Sequence, residues 1–202
     1  MWKCTNCHHV ELGSVKPESC PLCGAEAEKL VLHEVPGIKG EKTLQNLKAG
    51  FVAESQANLR NLAFAMKAEQ EGYPQMARLF RAVAEAEAVH AFHHLRLLGG
   101  ISGTQENMES AFEKENLASN AYPGFIKEAN EEDNPHVARI FGYSRDVERG
   151  HARLYSKALD HMVSDVDTEY YVCGICGYVS DGVLPDECPI CGASKEKFRK
   201  VV

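Results

Sequence analysis

Two short stretches of the chain place a glutamate three residues before a histidine, one in EAEAVH and one in DVERGH. Residues three positions apart lie on the same face of an α-helix, about one turn apart. Each such pair of side chains could therefore reach a single metal ion. The two pairs are Glu87 with His90 and Glu148 with His151.

A hard two-metal centre needs more anionic oxygen than these two pairs supply. The sequence offers one further glutamate before each pair, Glu54 in AESQA and Glu115 in KENLA, each 33 residues before the glutamate of its pair. Four carboxylates balance two divalent ions, and carboxylates combined with imidazole suit iron or manganese. A single Glu-x-x-His is common on solvated helix faces, but two related pairs with matching upstream glutamates favour a two-metal site.

Eight cysteines form two groups of four, each made of two CxxC pairs. They are Cys4, Cys7, Cys20 and Cys23, then Cys173, Cys176, Cys188 and Cys191. Disulfides are the weaker interpretation in a reducing compartment, and two CxxC pairs better match a metal held by four thiolates. Spacing alone does not separate iron for electron transfer from zinc for structure. We expect backbone N–H groups to point at the sulfurs, with a glycine after the pair to relieve strain; His8 takes that place after the first pair.

The cysteine groups divide the chain into three predicted domains. Residues 1–34 and 166–202 carry the cysteines, and residues 41–165 have helical apolar spacing in four segments. We predict helices from about Thr43 to Gly72, from Pro74 to Gly99, from Thr104 to about Glu132, and from Asn134-Pro135 to about Val163. The short connections within the first and second pairs of helices favour antiparallel neighbours, so a four-helix bundle is the economical fold.

The middle domain contains an internal repeat. Residues 71–90 and 132–151 align without a gap at an offset of 61, and the Glu-x-x-His pairs coincide. The bundle is therefore predicted to be a duplicated helix pair with pseudo-two-fold symmetry. For the first helix we predict a buried stripe of Leu44, Leu47, Phe51, Leu59, Leu62 and Met66.

The charge and the apolar patterning exclude some classes of partner. A net charge of −7 argues against nucleic acid or anionic lipid. No apolar run approaches the ~18–20 residues needed to cross a bilayer, and the first residues do not resemble a secretory signal. We therefore expect a cytoplasmic protein that binds neither nucleic acid nor membrane.

The combination of this Glu/Glu-x-x-His set with CGICGY and CPICG resembles the rubrerythrin family over residues 41–202. The segments AESQA, EGYPQMARLF, EAEAVH and AYPGF are similar to family segments, and residues 1–34 resemble a second rubredoxin-type module. The resemblance implies a mainly α fold, with a ferritin-like four-helix bundle flanked by two small rubredoxin-like metal-binding domains. It further implies a di-iron centre in the bundle and one Fe(SCys)4 site per cysteine domain, with zinc possible in either. The implied iron ligands are Glu54, Glu87, His90, Glu115, Glu148 and His151, with Glu87 and Glu148 bridging.

The resemblance also implies an activity, the reduction of hydrogen peroxide to water in oxidative-stress defence. Electrons would enter through the rubredoxin-type irons from an external NAD(P)H-dependent or rubredoxin reductase, since the chain has no nucleotide-binding fingerprint. The resemblance further implies a head-to-tail homodimer, in which the tail of one subunit approaches the di-iron centre of the other. The short linker at residues 166–170 also argues against the tail reaching the bundle site of its own chain. The alternatives are a ferroxidase or oxidase of the ferritin-like class and a non-enzymatic electron carrier.

Two positions depart from the family pattern. Ala118 stands where the family usually carries a further glutamate, which is involved in a redox-linked ligand exchange. Asn61 stands where a tyrosine is usual, while its repeat partner Tyr122 is retained as a candidate catalytic residue. We expect these departures to alter the ligand exchange and the hydrogen bonding of a ligand carboxylate.

Overall fold

Four long helices form the middle of the chain in this computed structural model, which describes residues 2–7, 9–11, 15–32, 38–160, 162 and 167–202. The helices are α1 (Glu41–Gln70), α2 (Pro74–Leu97), α3 (Thr104–Glu131) and α4 (Pro135–Asp160). The described chain divides into two compact units, one containing α1 and α2, the other containing α3, α4 and the C-terminal sheet. The fold-class prediction is confirmed.

The helix ends agree with the sequence except at the first. Helix α1 begins at Glu41 with Gly40 as its N-cap, slightly before the predicted start at about Thr43. Helices α2 and α4 both begin at a proline, which suits the first turn because the N–H that proline lacks would have no intrahelical partner there. The predicted end of the last helix near Val163, and the predicted domain boundaries near residues 34 and 165, fall outside the described residues.

Helices α1 and α2 pack antiparallel through small residues. The buried positions are Ala65 and Ala68 on α1, and Ala77, Ala84 and Ala91 at seven-residue intervals on α2. The side-chain amide of Asn58 crosses this seam and donates to the carbonyl of Ala84 at 2.7 Å. Because alanines fill the seam, larger apolar side chains lie outside it. Leu59, Leu62 and Met66 are exposed, so the predicted buried stripe is wrong at these three positions.

Helices α3 and α4 repeat this construction 61 residues later. Ala129, Ala138 and Ala152 are buried, and Phe125 packs on Phe141 at 5.8 Å between ring centroids, as Phe64 does on Phe80 at 5.6 Å.

The turns at the tips of the two helix pairs match as well. The left-handed residue is Gly72 in one (φ 83°) and Asp133 in the other (φ 57°). The N–H of the following residue, Tyr73 or Asn134, donates back to the carbonyl of Ala68 or Ala129 at 2.8 Å, which satisfies the end of the helix. The duplication seen in the sequence is therefore also a duplication of structure.

The two ends of the chain carry small three-stranded antiparallel sheets of one topology. The N-terminal strands are β1 (Trp2–Cys4), β2 (Val10–Glu11) and β3 (Leu30–Leu32), and the C-terminal strands are β4 (Tyr170–Cys173), β5 (Val179–Asp181) and β6 (Phe198–Lys200). The first strand is central in each sheet, and it ends at the first cysteine of its group. None of the described helices has both the length and the apolar character that crossing a bilayer requires.

Candidate metal centres

The C-terminal cysteines have the geometry of a tetrathiolate site. Cys173, Cys176, Cys188 and Cys191 place their sulfurs within 4.8 Å of one another. The measured Sγ–Sγ separations are 3.8 Å between Cys173 and Cys191 and 3.6 Å between Cys176 and Cys188. A tetrahedral metal with bonds of about 2.3 Å to sulfur separates its ligands by about 3.8 Å. The four sulfurs therefore fit one metal ion.

The backbone around this site supports a thiolate at Cys173, whereas burial raises the pKa of Cys176 and Cys191. Burial acts to raise the pKa of Cys173, but the N–H groups of Cys176 and Ile175 donate to its sulfur, and the net pKa shift is downward. Gly177 and Gly192, which follow the two CxxC pairs, both have positive φ, at 84° and 73°. A side chain is strained in that conformation, so glycine is the residue that fits.

The N-terminal cysteines form a second cluster of the same kind. Cys4, Cys7 and Cys20 are buried and Cys23 is half-buried, again with the sulfurs within 4.8 Å of one another. Gly24 has a φ of 71°, equivalent to Gly177 and Gly192. His8, the predicted departure from this pattern, lies outside the described residues.

The α1–α2 hairpin brings together Glu54, Glu87 and His90. Each offers one ligand atom, and these atoms lie within 4.8 Å of one another. The Nδ1 atom of His90 lies 3.0 Å from Oε2 of Glu87, as the i,i+3 spacing predicts. We call this cluster the first half-site. It combines two carboxylates with one imidazole, the donor set expected for one half of a hard di-metal centre.

The α3–α4 hairpin forms the equivalent second half-site from Glu115, Glu148 and His151. Nδ1 of His151 lies 3.1 Å from Oε2 of Glu148 and 3.8 Å from Oε2 of Glu115. Burial, with the adjacent Glu148 carboxylate, raises the pKa of Glu115 to about 8. Two acidic groups held this close repel each other when both are ionised, and a bound cation relieves that repulsion. The donor set and its electrostatics therefore fit a divalent metal ion.

The C-terminal domain lies directly against the second half-site. The ring nitrogen Nε2 of His151 is 3.2 Å from the carbonyl oxygen of Gly177, the residue after Cys176. Val147 is buried beside Gly177, and Lys157 forms an ion pair with Asp181 on β5. The expectation that the short linker keeps the tail from the bundle site of its own chain is therefore wrong for the second half-site, which Gly177 contacts through His151.

Val147 and Gly177 are contact residues that the sequence analysis did not predict. A signal was present in DVERGH, where one apolar residue stands among charged ones. Its repeat equivalent is Ala86, which is exposed. An apolar residue in one repeat unit that is replaced by a smaller residue in the other indicates that a further domain packs on the first unit only.

Comparison with models of known protein families shows which family the chain belongs to. The rubrerythrin model matches residues 45–106 and 106–175, and the model of the rubrerythrin rubredoxin-like domain matches residues 2–30 and 171–199. The chain belongs to the rubrerythrin family. The two rubredoxin-like matches coincide with the two cysteine clusters, and the rubrerythrin matches cover both half-sites.

Relatives within the rubrerythrin family cover most of the chain. It is 33% identical to nigerythrin of Nitratidesulfovibrio vulgaris over 77% of this chain and 85% of that protein. It is 34% identical to a rubrerythrin of Porphyromonas gingivalis over 80% of this chain and 90% of that protein. Among solved structures, a mixed-valence state of nigerythrin matches with 31% identity, a TM-score of 0.49, and coverage of 84% of this chain and 91% of that one.

Asn61, which departs from the rubrerythrin pattern, and its repeat partner Tyr122, which is retained, have different surroundings in the structure. The ring of Tyr122 packs on Phe125 and Phe141 at 5.7 and 6.0 Å between centroids. Among the described residues, no hydrogen bond joins its hydroxyl to the second half-site. Asn61 donates its side-chain amide to the carbonyl of Ala57 at 2.9 Å, so it bonds its own helix.

Proposed function

We propose that this chain is a non-haem di-iron peroxidase that reduces hydrogen peroxide to water with electrons delivered through its rubredoxin-type Fe(SCys)4 sites. The observation that carries the proposal is the 3.2 Å contact between His151 and the Gly177 carbonyl. It joins a ligand of the candidate di-iron centre to the residue after a thiolate ligand. A carboxylate-rich metal site with a one-electron carrier held against it is suited to redox chemistry rather than to metal storage.

The proposed iron ligands are the members of the two half-sites, Glu54, Glu87, His90, Glu115, Glu148 and His151. Their four carboxylates balance the charge of two ferrous ions. Reduction of one peroxide molecule consumes two electrons and two protons, breaks the O–O bond and yields two water molecules. Two ferrous ions held by these residues would supply the two electrons and positive charge to stabilise the oxygens as the bond breaks.

His151 is oriented for this role by its two ring nitrogens. A carbonyl oxygen only accepts hydrogen bonds, so Nε2 of His151 carries the proton and donates to Gly177. In that tautomer the lone pair of Nδ1, which lies 3.1 Å from Glu148 and 3.8 Å from Glu115, would be available to a metal ion held by the two carboxylates. A hydrogen bond that fixes the tautomer and ring orientation of a metal-binding histidine also raises its strength as a ligand.

The two cysteine domains would supply the electrons. We propose that residues 1–34 and 166–202 are iron tetrathiolate domains around the bundle domain of residues 41–165. Two one-electron carriers per chain match the two electrons that each peroxide molecule takes. An external NAD(P)H-dependent or rubredoxin reductase would refill them, since the sequence carries no nucleotide-binding fingerprint.

An anaerobic stopped-flow experiment tests this function. The fully reduced protein is mixed with hydrogen peroxide in one run and with dioxygen in another, and the visible absorption of ferric thiolate is followed. We expect the colour to return fast with peroxide and slowly with dioxygen. A faster response to dioxygen would favour an oxidase or ferroxidase and overturn the peroxidase assignment.

The variant Glu148→Ala tests whether the cysteine sites are oxidised through the bundle centre or directly by peroxide. We expect the colour to return far more slowly after peroxide in this variant, because the bundle no longer assembles a complete centre. An unchanged rate in Glu148→Ala would mean that peroxide oxidises the cysteine sites directly.

A further inference from the structure

The N-terminal cysteine cluster accepts a hydrogen bond from a side chain at one of its sulfurs. Nδ2 of Asn6 donates to Sγ of Cys23, with 3.6 Å between the two atoms, a length that suits the large radius of sulfur. Asn6 lies between the two cysteines of the first CxxC pair, and Cys23 is the last cysteine of the cluster. The bond therefore joins the loop of the first pair to a sulfur of the second pair.

The residue before Asn6 holds this loop in place. The N–H of Thr5 donates to the carbonyl of Lys29 at 2.7 Å, and its hydroxyl donates to the same carbonyl at 3.2 Å. In the C-terminal domain the N–H of Gly174 makes the equivalent bond to Lys197 at 2.8 Å, but glycine has no hydroxyl to add a second one. The additional bond orders the N-terminal loop, so less entropy is lost when the Asn6 side chain bonds to sulfur.

The C-terminal domain has an apolar side chain at the equivalent position. Aligning CTNC with CGIC places Ile175 opposite Asn6, and the Ile175 side chain is 61% exposed and has no polar atom. The equivalent of Cys23 is Cys191, whose sulfur accepts a bond from the backbone N–H of Ala193. Because the two domains share their topology and CxxC spacing, we expect their backbone donors to match. The Asn6 amide is then an addition to the N-terminal set.

Overall charge does not distinguish the two cysteine domains. Residues 1–34 contain five acidic and three basic side chains, and residues 166–202 contain six and four, so the net side-chain charge is the same. Net charge and hydrogen bonds to the sulfurs are two of the factors that set the reduction potential of an iron–sulfur site. Only the second of these factors differs between the two domains.

We propose that Asn6 raises the reduction potential of the N-terminal tetrathiolate above that of the C-terminal one, so that the N-terminal site keeps the first electron that the chain receives. The sulfurs of an iron tetrathiolate carry more negative charge after reduction, so a donor bonded to one of them stabilises the reduced state. The C-terminal site, which contacts His151 through Gly177, then gives up its electron more readily. This inference rests on the iron tetrathiolates of the proposed function, but it does not depend on peroxide being the substrate.

An anaerobic redox titration of two full-length chains tests the order of the potentials. One chain carries Cys173→Ser with Cys176→Ser and keeps the N-terminal site, and the other carries Cys4→Ser with Cys7→Ser and keeps the C-terminal site. The ferric-thiolate absorption is followed in the presence of redox mediators. We expect an equilibrium constant for reduction about tenfold larger at the N-terminal site, which corresponds to about 59 mV for one electron.

Two results of this titration would overturn the proposal. One is a C-terminal potential equal to or above the N-terminal potential. The other is an absence of ferric-thiolate colour in the chain that keeps the N-terminal site, because that site would then carry no electron.

Replacing Asn6 tests whether its amide is the cause. In the chain that keeps the N-terminal site, Asn6→Leu removes the donor, and we expect the equilibrium constant for reduction to fall about tenfold. Asn6→Asp keeps the size of the side chain but places a carboxylate beside the sulfur, so the potential should fall further. An unchanged potential in Asn6→Leu, with the full ferric-thiolate absorption retained, would contradict the role of Asn6.

The reverse substitution tests the same cause by adding a donor. In the chain that keeps the C-terminal site, Ile175→Asn is expected to raise the potential toward that of the N-terminal site. Ile175 is exposed, so the domain should tolerate the change. The control is Ile175→Leu, which adds no donor and should leave the potential unchanged. Equal potentials of the Asn and Leu variants would count against the hydrogen bond as the cause.

The outcome is separable from that of the proposed function, because both potentials are measured without peroxide. A protein without peroxidase activity that shows the two separate potentials would retain the role of Asn6 and lose the peroxidase assignment. An active peroxidase with equal potentials would retain the assignment and lose the role of Asn6.

Discussion

In the α1–α2 hairpin, His90 has 56% of its side chain exposed, whereas the equivalent His151 on α4 has 24% exposed and a bond from Nε2 to Gly177. The distance from Nδ1 to the paired glutamate is nearly the same in both, 3.0 and 3.1 Å. The duplicated sequence sets the geometry of the ligands. The neighbouring domain makes the two half-sites different, because among the described contacts only the second has the rubredoxin-like domain against its histidine.

The contrast extends to the residues around the histidines. Val147 is buried under the C-terminal domain, while its repeat equivalent Ala86 is exposed. Lys157 is paired with Asp181 of the same domain. The second hairpin is therefore a docking surface for the C-terminal domain, whereas the equivalent position of the first hairpin is exposed.

Removing one carboxylate from either half-site should have the largest effect. We expect Glu54→Ala and Glu115→Ala to lose the bundle iron to a similar degree and to lower peroxidase activity at least about a hundredfold, since even outer-shell partners of a metal cost about 10–100-fold. Metal analysis and steady-state assays measure this, with the exposed Glu85→Ala as the control. Loss of iron in only one of the two variants would mean that the half-sites are independent centres.

Placing a charge at the docking surface should have the next largest effect. Val147→Asp buries a carboxylate beside Gly177, and we expect electron transfer between the C-terminal site and the bundle to slow at least about tenfold, the factor that each 1.4 kcal/mol of lost docking represents. Iron content should not change. Ala86→Asp introduces the same charge at the exposed equivalent and should have no effect; equal effects of the two variants would remove the distinction between the hairpins.

Breaking the ion pair at the rim of this surface should have a smaller effect. Lys157→Ala removes the partner of Asp181, and we expect intramolecular electron transfer to slow by about two- to fivefold, because exposed ion pairs contribute little. The effect should shrink in high salt, where such pairs are screened. The control is Lys195→Ala, whose partner Asp186 lies in the C-terminal domain itself. A larger loss in the control would argue against α4 as the docking site.

Asn61 and Tyr122 occupy equivalent positions of the repeat but differ in residue type, and replacing either by the other's residue should change stability more than activity. In Asn61→Tyr we expect the new ring to pack near Phe64 and Phe80, as Tyr122 packs on Phe125 and Phe141, and to raise the free energy of unfolding by about 0.5–1.5 kcal/mol. Thermal and denaturant unfolding measure this. The reverse change, Tyr122→Asn, should lower stability. A less stable Asn61→Tyr protein would show that the two hairpins pack their rings differently.

The parts of this protein that follow local rules could be predicted from sequence. The Glu-x-x-His contacts follow from helix periodicity, and the thiolate turns follow from CxxC spacing and the glycine after it. The contact of His151 with Gly177 could not be predicted, because it joins residues 26 positions apart in different domains. Periodicity also identified Leu59 and Met66 as apolar stripe residues, but it does not reveal that alanines fill the seam and leave these side chains exposed.

The most direct test of the account compares two proteins that each keep a single iron tetrathiolate. One carries Cys4→Ser with Cys7→Ser and keeps the C-terminal site; the other carries Cys173→Ser with Cys176→Ser and keeps the N-terminal site. Both are reduced anaerobically and mixed with hydrogen peroxide, and the return of ferric-thiolate colour is timed. We expect the colour to return at nearly the wild-type rate in the first protein and much more slowly in the second. Equal rates, or a faster N-terminal site, would contradict the assignment of His151 and Gly177 as the route into the centre.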